Sequence, residues 1–350
     1  MILVRFQRWI FFTFVLLSIS GSPSQPNAQT LHDLTVCARQ SVEAQLGWAL
    51  LAEQQGFYTT ENLRVQWRIN HAKAPLEALQ DKECDLAIAR LGEFILTLNE
   101  ALLEAKNAHL VHIAQIYPTN ALRLMGLPGL LRKLDEYKHI TLTSCDEEKN
   151  EIDIIMRALL AIAWDYEDDD ELTCGNGTED PVAALLTGNV DLIGGMLYDE
   201  AYRVAAARGT SVNELDMFNP GVLKRLNFDI PEEAIIARED FLADAKKKDL
   251  AVRFVRASLK GLALAKDPGA VVGAVLEKNK VADRAHQEYA AQVIAKMIGA
   301  FPEGRLGRLT PEQYESALRF FKKFGPVQAE LAAFQSALRS DIWEAATSVH

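Results

Sequence analysis

The chain has 350 residues, 49% of them apolar, and a formal charge of −11. A chain of this length exceeds what one hydrophobic core usually supports, so two lobes are expected, and the apolar content is sufficient for both. An acidic protein repels nucleic acid and anionic lipid, which sets both aside as partners.

Arg5 and Arg8 precede an apolar run from Trp9 to Ile19, followed by the small or turn-forming residues Ser20 to Pro23. This is the pattern of an export signal over residues 1–28, cleaved after Ser18-Ile19-Ser20 or near Ala28. The run is shorter than the about 20 residues a membrane-spanning helix needs, which disfavours the alternative of an uncleaved anchor. No cysteine ends the run to accept a lipid, so the mature protein is expected free in the periplasm. Loss of the two arginines takes its formal charge from −11 to −13.

Strand and helix patterns then alternate, which predicts parallel-rich α/β sheets. The first lobe, residues 29–125, reads as strand Leu34 to Ala38, helix 43–55, strand Leu63 to Ile69, helix 75–82, strand Asp85 to Ala89, helix 93–105 and strand Leu110 to Ile116. A connecting segment, Asn120 to Met125, leads into the second lobe, residues 126–218, which begins with a short helix around Leu130 to Glu136. There follow strand Ile140 to Ser144, helix 151–164, strand Glu171 to Thr173, helix 181–187, strand Val190 to Gly194, helix 199–207 and a return strand near Leu215 to Phe218. Residues 219–350 return to the first lobe with strand Glu233 to Ala237 and helices 239–245, 248–265, 268–278, 283–299 and 311–323.

Four cysteines allow three pairings if all are oxidised. Cys37 lies near the carboxyl end of its strand and Cys84 at the start of another, so a bond between them is disfavoured in a parallel sheet. Cys145 and Cys174 each end a short strand and would meet at one edge, which predicts a Cys145–Cys174 disulfide; four buried thiols are the alternative.

Two crossings between lobes make two hinge segments, and ligands of open parallel sheets lie beyond the carboxyl ends of the strands. The candidate ligand-binding residues at those ends are Arg39, Gln40, Arg90, Tyr117 and Asn120 from the first lobe, and Ser144, Asp146, Gly195, Met196, Tyr198 and Glu200 from the second. Trp48 could line the cleft or belong to the core. Arg90 could hold a carboxylate in its fork or make a lobe-to-lobe salt bridge. Glu200 could accept a ligand hydrogen bond or serve as a first-turn carboxylate favoured by the helix dipole. Tyr117 is the leading stacking residue.

Several ordered pieces carry a family resemblance. They are Leu51-Ala52-Glu53-Gln54-Gln55-Gly56-Phe57-Tyr58 with Leu63-Arg64-Val65, Ala78-Leu79-Gln80 with Cys84-Asp85-Leu86-Ala87-Ile88, Ala184 to Asp191, Glu232 to Phe241, and Val252 to Gly261. Together they resemble the periplasmic solute-binding proteins for nitrate, sulfonates and thiamine pyrimidine precursors, over nearly the whole mature chain. Val190 to Met196 running into Asp199-Glu200 is most similar to the thiamine-precursor branch. The resemblance implies a type II periplasmic-binding-protein fold with two α/β lobes and two hinge segments, in a protein that delivers a small polar, ring-containing metabolite to an ABC permease; nothing in the sequence warrants an obligate oligomer, so a monomer is expected.

The chain departs from that family at Asn62, where glycine is usual, at Gln40, where tryptophan is frequent, and at Leu46, where histidine is frequent. The loop Ser144 to Glu151 carries Asp146, Glu147 and Glu148, which would oppose a sulfonate or nitrate in a closing cleft and favour a neutral or amino-bearing ligand. Glu147 and Glu148 could instead decorate a helix N-terminus. No cofactor or metal is expected: His109 and His112 cannot share an ion from a strand, and Tyr166 to Glu171 lacks a calcium loop's spacing. The alternatives are an iron-dependent pyrimidine synthase-like enzyme of the same fold, whose cysteine-rich motif is not recognisable here, and a ligand-sensing periplasmic subunit.

Overall fold

The computed structural model describes residues 30–39, 41–69, 72–104, 110–137, 139–143, 150–166, 172–175, 180–218 and 221–348. Leu31–His350 forms one unit; residues 1–28, where an export signal is expected, lie outside the described residues.

Two five-stranded sheets organise the chain. The first contains β1 (His32–Ala38), β2 (Leu63–Ile69), β3 (Leu86–Arg90), β4 (Leu110–Gln115) and β10 (Glu233–Arg238), in the order β2-β1-β3-β10-β4. The second contains β5 (Leu122–Gly126), β6 (Ile140–Leu142), β7 (Leu172–Cys174), β8 (Leu192–Met196) and β9 (Asp216–Phe218), in the order β7-β6-β8-β5-β9. β1 runs parallel to β2 and β3, and β6 parallel to β7 and β8. Each sheet has one antiparallel member, β10 or β5, and each is the strand by which the chain arrives from the other sheet.

Burial follows position in the sheet. The edge strand β2 alternates, Leu63 buried and Val65, Trp67 and Ile69 half-buried between exposed residues, as a strand covered on one face should, whereas β3 is buried almost throughout. β4 also lies at an edge yet is buried along its length. Its edge is covered: His112 bridges Leu338, Arg339 donates its N–H to the His112 carbonyl, and the last helix packs against the strand. Covering an edge this way removes a template for aggregation.

The helices of the first half are α1 (Gly47–Gln54), α2 (Phe57–Thr60), α3 (Pro75–Gln80) and α4 (Leu91–Leu103). The second sheet carries α5 (Glu151–Trp164), α6 (Pro181–Thr187) and α7 (Glu200–Arg208), and α8 (Gly221–Arg225) precedes β10. The C-terminal part is helical: α9 (Glu239–Ala243), α10 (Ala245–Leu264), α11 (Pro268–Lys278), α12 (Arg284–Ile298), α13 (Pro311–Phe324), α14 (Leu331–Phe334) and α15 (Ser340–Thr347). Caps mark the ends: Asn150 accepts from Ile152 N–H at α5, Asp180 from Ala183 N–H at α6, and Thr310 forms a capping box with Gln313 at α13.

Three expectations change. Asn120 to Met125 is not a simple connection, because Leu122–Gly126 pairs on both sides, with β8 and β9. The helix expected around Leu130 to Glu136 shrinks to one 3₁₀ turn, Leu134–Glu136, after a turn with Gly129 in the left-handed region. Cys37 and Cys84 form a disulfide, with Cα atoms 5.9 Å apart. The sheet argument failed there because Cys84 precedes β3, in the turn that leaves α3. Glu83 N–H bonds back to the Ala78 carbonyl, and Cys84 packs over the sheet face with Ala78 and Cys37. Cys174 is also disulfide-bonded; Cys145, its expected partner, lies outside the described residues.

Candidate functional site

The carboxyl ends of β3, β4 and β8 converge on the two crossing segments, and a buried polar cluster fills the junction. Gln45, in the 3₁₀ turn Ala44–Leu46 before α1, sits at its centre. Its side-chain amide donates to the Tyr198 hydroxyl at 2.7 Å and to Glu233 Oε1, and its carbonyl accepts from the Tyr117 hydroxyl at 2.6 Å. Tyr198 in turn donates to Glu232 Oε1 at 2.6 Å, and Glu232 Oε2 accepts from Ala121 N–H at 2.8 Å. One carboxylate thus joins both crossings and a residue at the end of β8. Glu232 and Glu233 are fully buried, and burial raises the pKa of each carboxyl group and of the Tyr117 and Tyr198 hydroxyls.

A second layer orients this one. Gln115 donates to the carbonyls of Tyr117 and Glu233 at 2.9 and 2.7 Å, and His112 Nε2 lies 3.0 Å from Gln115 Oε1. Burial lowers the His112 pKa to about 4, so its ring is neutral at ordinary pH and donates to the amide oxygen.

Glu151, at the start of α5, is the exception. It is 1% exposed, and among the described residues no side chain hydrogen-bonds either carboxylate oxygen, the Glu93 backbone N–H being the donor that acts on it. Burial lifts its pKa to about 8, against the pull of Arg90 and with a further push from Glu93 and Glu232. It lies against α4: a Cβ added to Gly92 would fall 2.6 Å from Glu151 Cδ. Arg90 is the nearby guanidinium; its Nε has no partner, and its Nη1 is 3.6 Å from Glu93 Oε1. Glu151, Glu232 and Glu233 each lie in the field of Arg90, whose own pKa is raised, against burial, by Glu93, Glu151, Tyr198 and Glu232; Glu232 also lies in the field of Arg123.

A family model described as NMT1/THI5 like matches residues 44–270. The chain belongs to the NMT1/THI5-like family. No curated protein matches the sequence significantly. Solved structures similar to this NMT1/THI5-like protein include the periplasmic aliphatic sulphonate binding protein SsuA from Escherichia coli, 15% identical over 90% of this chain and 100% of that one, TM-score 0.60. The periplasmic nitrate-binding protein NrtA from Synechocystis PCC 6803 is 13% identical over 90% of this chain and 88% of that one, TM-score 0.60. The desulfurization enzyme DSZB is 12% identical over 89% of this chain and 98% of that one, TM-score 0.58. At these identities the likeness establishes the fold: a bilobal, type II periplasmic-binding-protein architecture.

Of the residues singled out from sequence, the NMT1/THI5-like structure brings Arg90, Tyr117 and Tyr198 to the cluster. Gln40, Ser144 and Asp146 lie outside the described residues. Arg39 is half-exposed and pairs with Glu93 at 2.7 Å. Asn120 accepts from Leu122 N–H at 2.7 Å and lines a separate cavity. Trp48 is wholly buried with its ring edge-on to Trp67, centroids 6.0 Å apart, which is the core alternative. Glu200 accepts from Met196 N–H at 2.6 Å, the first-turn alternative, and burial followed by the neighbouring Asp199 raises its pKa. Gly195 makes room for α7, since an added Cβ would lie 2.5 Å from Glu200 Cβ.

Sequence reasoning missed Gln45, Glu151, Glu232 and Glu233. Adjacent carboxylates opening the apolar run Ala234 to Ala237 were the available signal, because charged residues enter a fully buried strand only with partners. Among the described residues no helix is long and apolar enough to cross a membrane.

Proposed function

We propose that this protein is the substrate-binding component of an ABC importer, exported through residues 1–28, which closes two lobes on a small polar, amino-bearing ring and presents it to a permease in the inner membrane. The observation that carries this reading is the buried interlobe cluster, with Glu151 lacking a side-chain hydrogen-bond partner beside Arg90. A buried carboxyl group with no side-chain hydrogen-bond partner is costly, and an amino group of a ligand would supply N–H donors to it. Tyr117 and Tyr198 are the aromatic residues of that cluster, and the unpartnered Nε of Arg90 adds a donor for a ring acceptor. The resemblance to the thiamine-precursor branch supports an aminopyrimidine. The hydrogen bonds that hold the two sheets together here are those that closure would make, and they involve no covalent step.

The test is a thermal-shift screen of the mature protein against 4-aminopyrimidines, flavin-type rings, other amines and sulfonates. Saturation at 100 times the dissociation constant adds about 2.7 kcal/mol of stability. A shift selective for amino-bearing rings supports the reading; a shift only with sulfonates contradicts it.

A further inference from the structure

Beside the two crossing segments lies a cavity of about 660 Å³, within the range of small-molecule sites. Asn120 and Asp229 line it from the crossings, Leu197 and Met217 from the second sheet, and Val293 and Met297 from α12. Gln45, Arg90, Tyr198, Glu232 and Glu233 take no part in its wall, so it is a separate hollow, which adjoins the buried cluster through Ala121, whose N–H donates to Glu232 at 2.8 Å.

Three cations reach it from three elements: Arg123 on β5, Lys224 on α8 and Lys296 on α12. Among the described residues none of them has a salt-bridge partner. Arg123 gives one N–H to the Leu122 carbonyl at 2.7 Å, leaving the rest of its fork for another acceptor. Burial lowers the Arg123 pKa, which marks a guanidinium whose desolvation its neighbours do not offset. The only acid among the described wall residues, Asp229, accepts from Gln313 Nε2 at 3.2 Å. In a chain of charge −11, three cations against one acid in the wall, with Glu232 acting on Arg123 from outside it, leave an apolar hollow with an excess of positive charge that selects an anion with an apolar body.

We propose that this cavity is a second binding site, for a small organic acid whose carboxylate is held by Arg123, Lys224 and Lys296 and whose aromatic or short alkyl body fills the apolar wall. The proposal does not depend on the ligand of the buried cluster.

Titration calorimetry of the mature protein with 4-phenylbutyrate, 4-phenyl-1-butanol and 4-phenylbutylamine tests it. Saturable one-site binding of the acid is expected, with the alcohol at least tenfold weaker and the amine weaker still. The Lys224→Gln/Lys296→Gln double variant, changed only at exposed side chains, should lose at least tenfold in affinity for the acid at an unchanged melting temperature, while Glu233→Gln should bind the acid as the parent does. No saturable binding of the acid, equal binding of the alcohol, undiminished affinity in the double variant, or loss in Glu233→Gln would each overturn it.

Discussion

The Tyr198 hydroxyl, just past the end of β8, donates to Glu232 Oε1 at 2.6 Å on the segment that returns the chain to the first sheet. The same hydroxyl accepts from Gln45 at 2.7 Å, so one phenol ties the second lobe to both the first lobe and the hinge. Nearby, His286 Nε2 lies 3.1 Å from the Tyr198 carbonyl, and its ring stacks on Tyr202 at 4.8 Å, so the backbone that carries the phenol is held as well.

Tyr198→Phe removes that tie without changing the ring. It leaves a buried Glu232 oxygen and the Gln45 amide each short of a partner, at a cost of about 1–3 kcal/mol. The melting temperature should fall and small-angle scattering should report a more open average arrangement of the lobes. An unchanged melting temperature would mean that the hydrogen bond adds nothing to closure.

Glu151 sets a pH dependence with a defined sign. Its folded-state pKa of about 8 exceeds its ordinary value of 4.5, so the folded protein holds this proton more tightly than the unfolded chain. Its contribution to stability is full below about 4.5 and is lost as pH rises through about 8, with a slope of up to about 1.4 kcal/mol per pH unit. His112 acts in the opposite sense, since its lowered pKa of about 4 removes stability as pH falls below its ordinary 6.5. Glu151→Gln should flatten the alkaline side of the denaturation profile and leave the acid side in place. A parallel profile for parent and variant would contradict this.

Gly92 permits the close approach of α4 to Glu151. A Cβ there would lie 2.5 Å from Phe321 Cζ and 2.6 Å from Glu151 Cδ. Gly92→Val should therefore cost about 1–3 kcal/mol through overpacking. By holding the lobes apart it should also weaken ligand binding at least tenfold, about 1.4 kcal/mol. Parent-like affinity would show that closure does not need this contact.

The Cys37–Cys84 bond closes a stretch with a sequence separation of 47. Chain-entropy bookkeeping for a loop of that size gives roughly 4 kcal/mol. The Cys37→Ala/Cys84→Ala variant should lose a stabilisation of that order in urea denaturation, and peptide mapping without reductant should recover the two cysteines in one linked fragment. Two free thiols in the mapped parent protein would rule the bond out.

What the sequence made legible and what it hid have physical causes. Strands such as Leu63–Ile69 and helices such as Pro181–Thr187 announce themselves through periodicity, Pro at the first helical position and Gly just past the end. Strand polarity puts Arg90, Tyr117 and Tyr198 at strand ends, and the fold gathers these three at the buried cluster. β5 was hidden because Leu-Arg-Leu-Met-Gly is short, and only its two neighbours make it a strand. Gln45 was hidden because its 3₁₀ turn reads as the first turn of a longer helix. Glu151 was hidden because a carboxylate in a helix's first turn is ordinary until the fold lays α4 across it. The Cys37–Cys84 bond depends on a turn that crosses over a sheet face, a three-dimensional event that strand polarity alone does not describe.

The central claim is that the buried carboxylates receive an amino-bearing ring. Titration calorimetry of the mature protein with 4-amino-2-methylpyrimidine and its 4-hydroxy counterpart, repeated on Glu151→Gln, tests it most directly. The account predicts saturable binding of the amine, at least tenfold weaker binding of the hydroxy compound, and a narrowing of that gap in the variant. Equal affinities for the two compounds, or no binding of either, would contradict it.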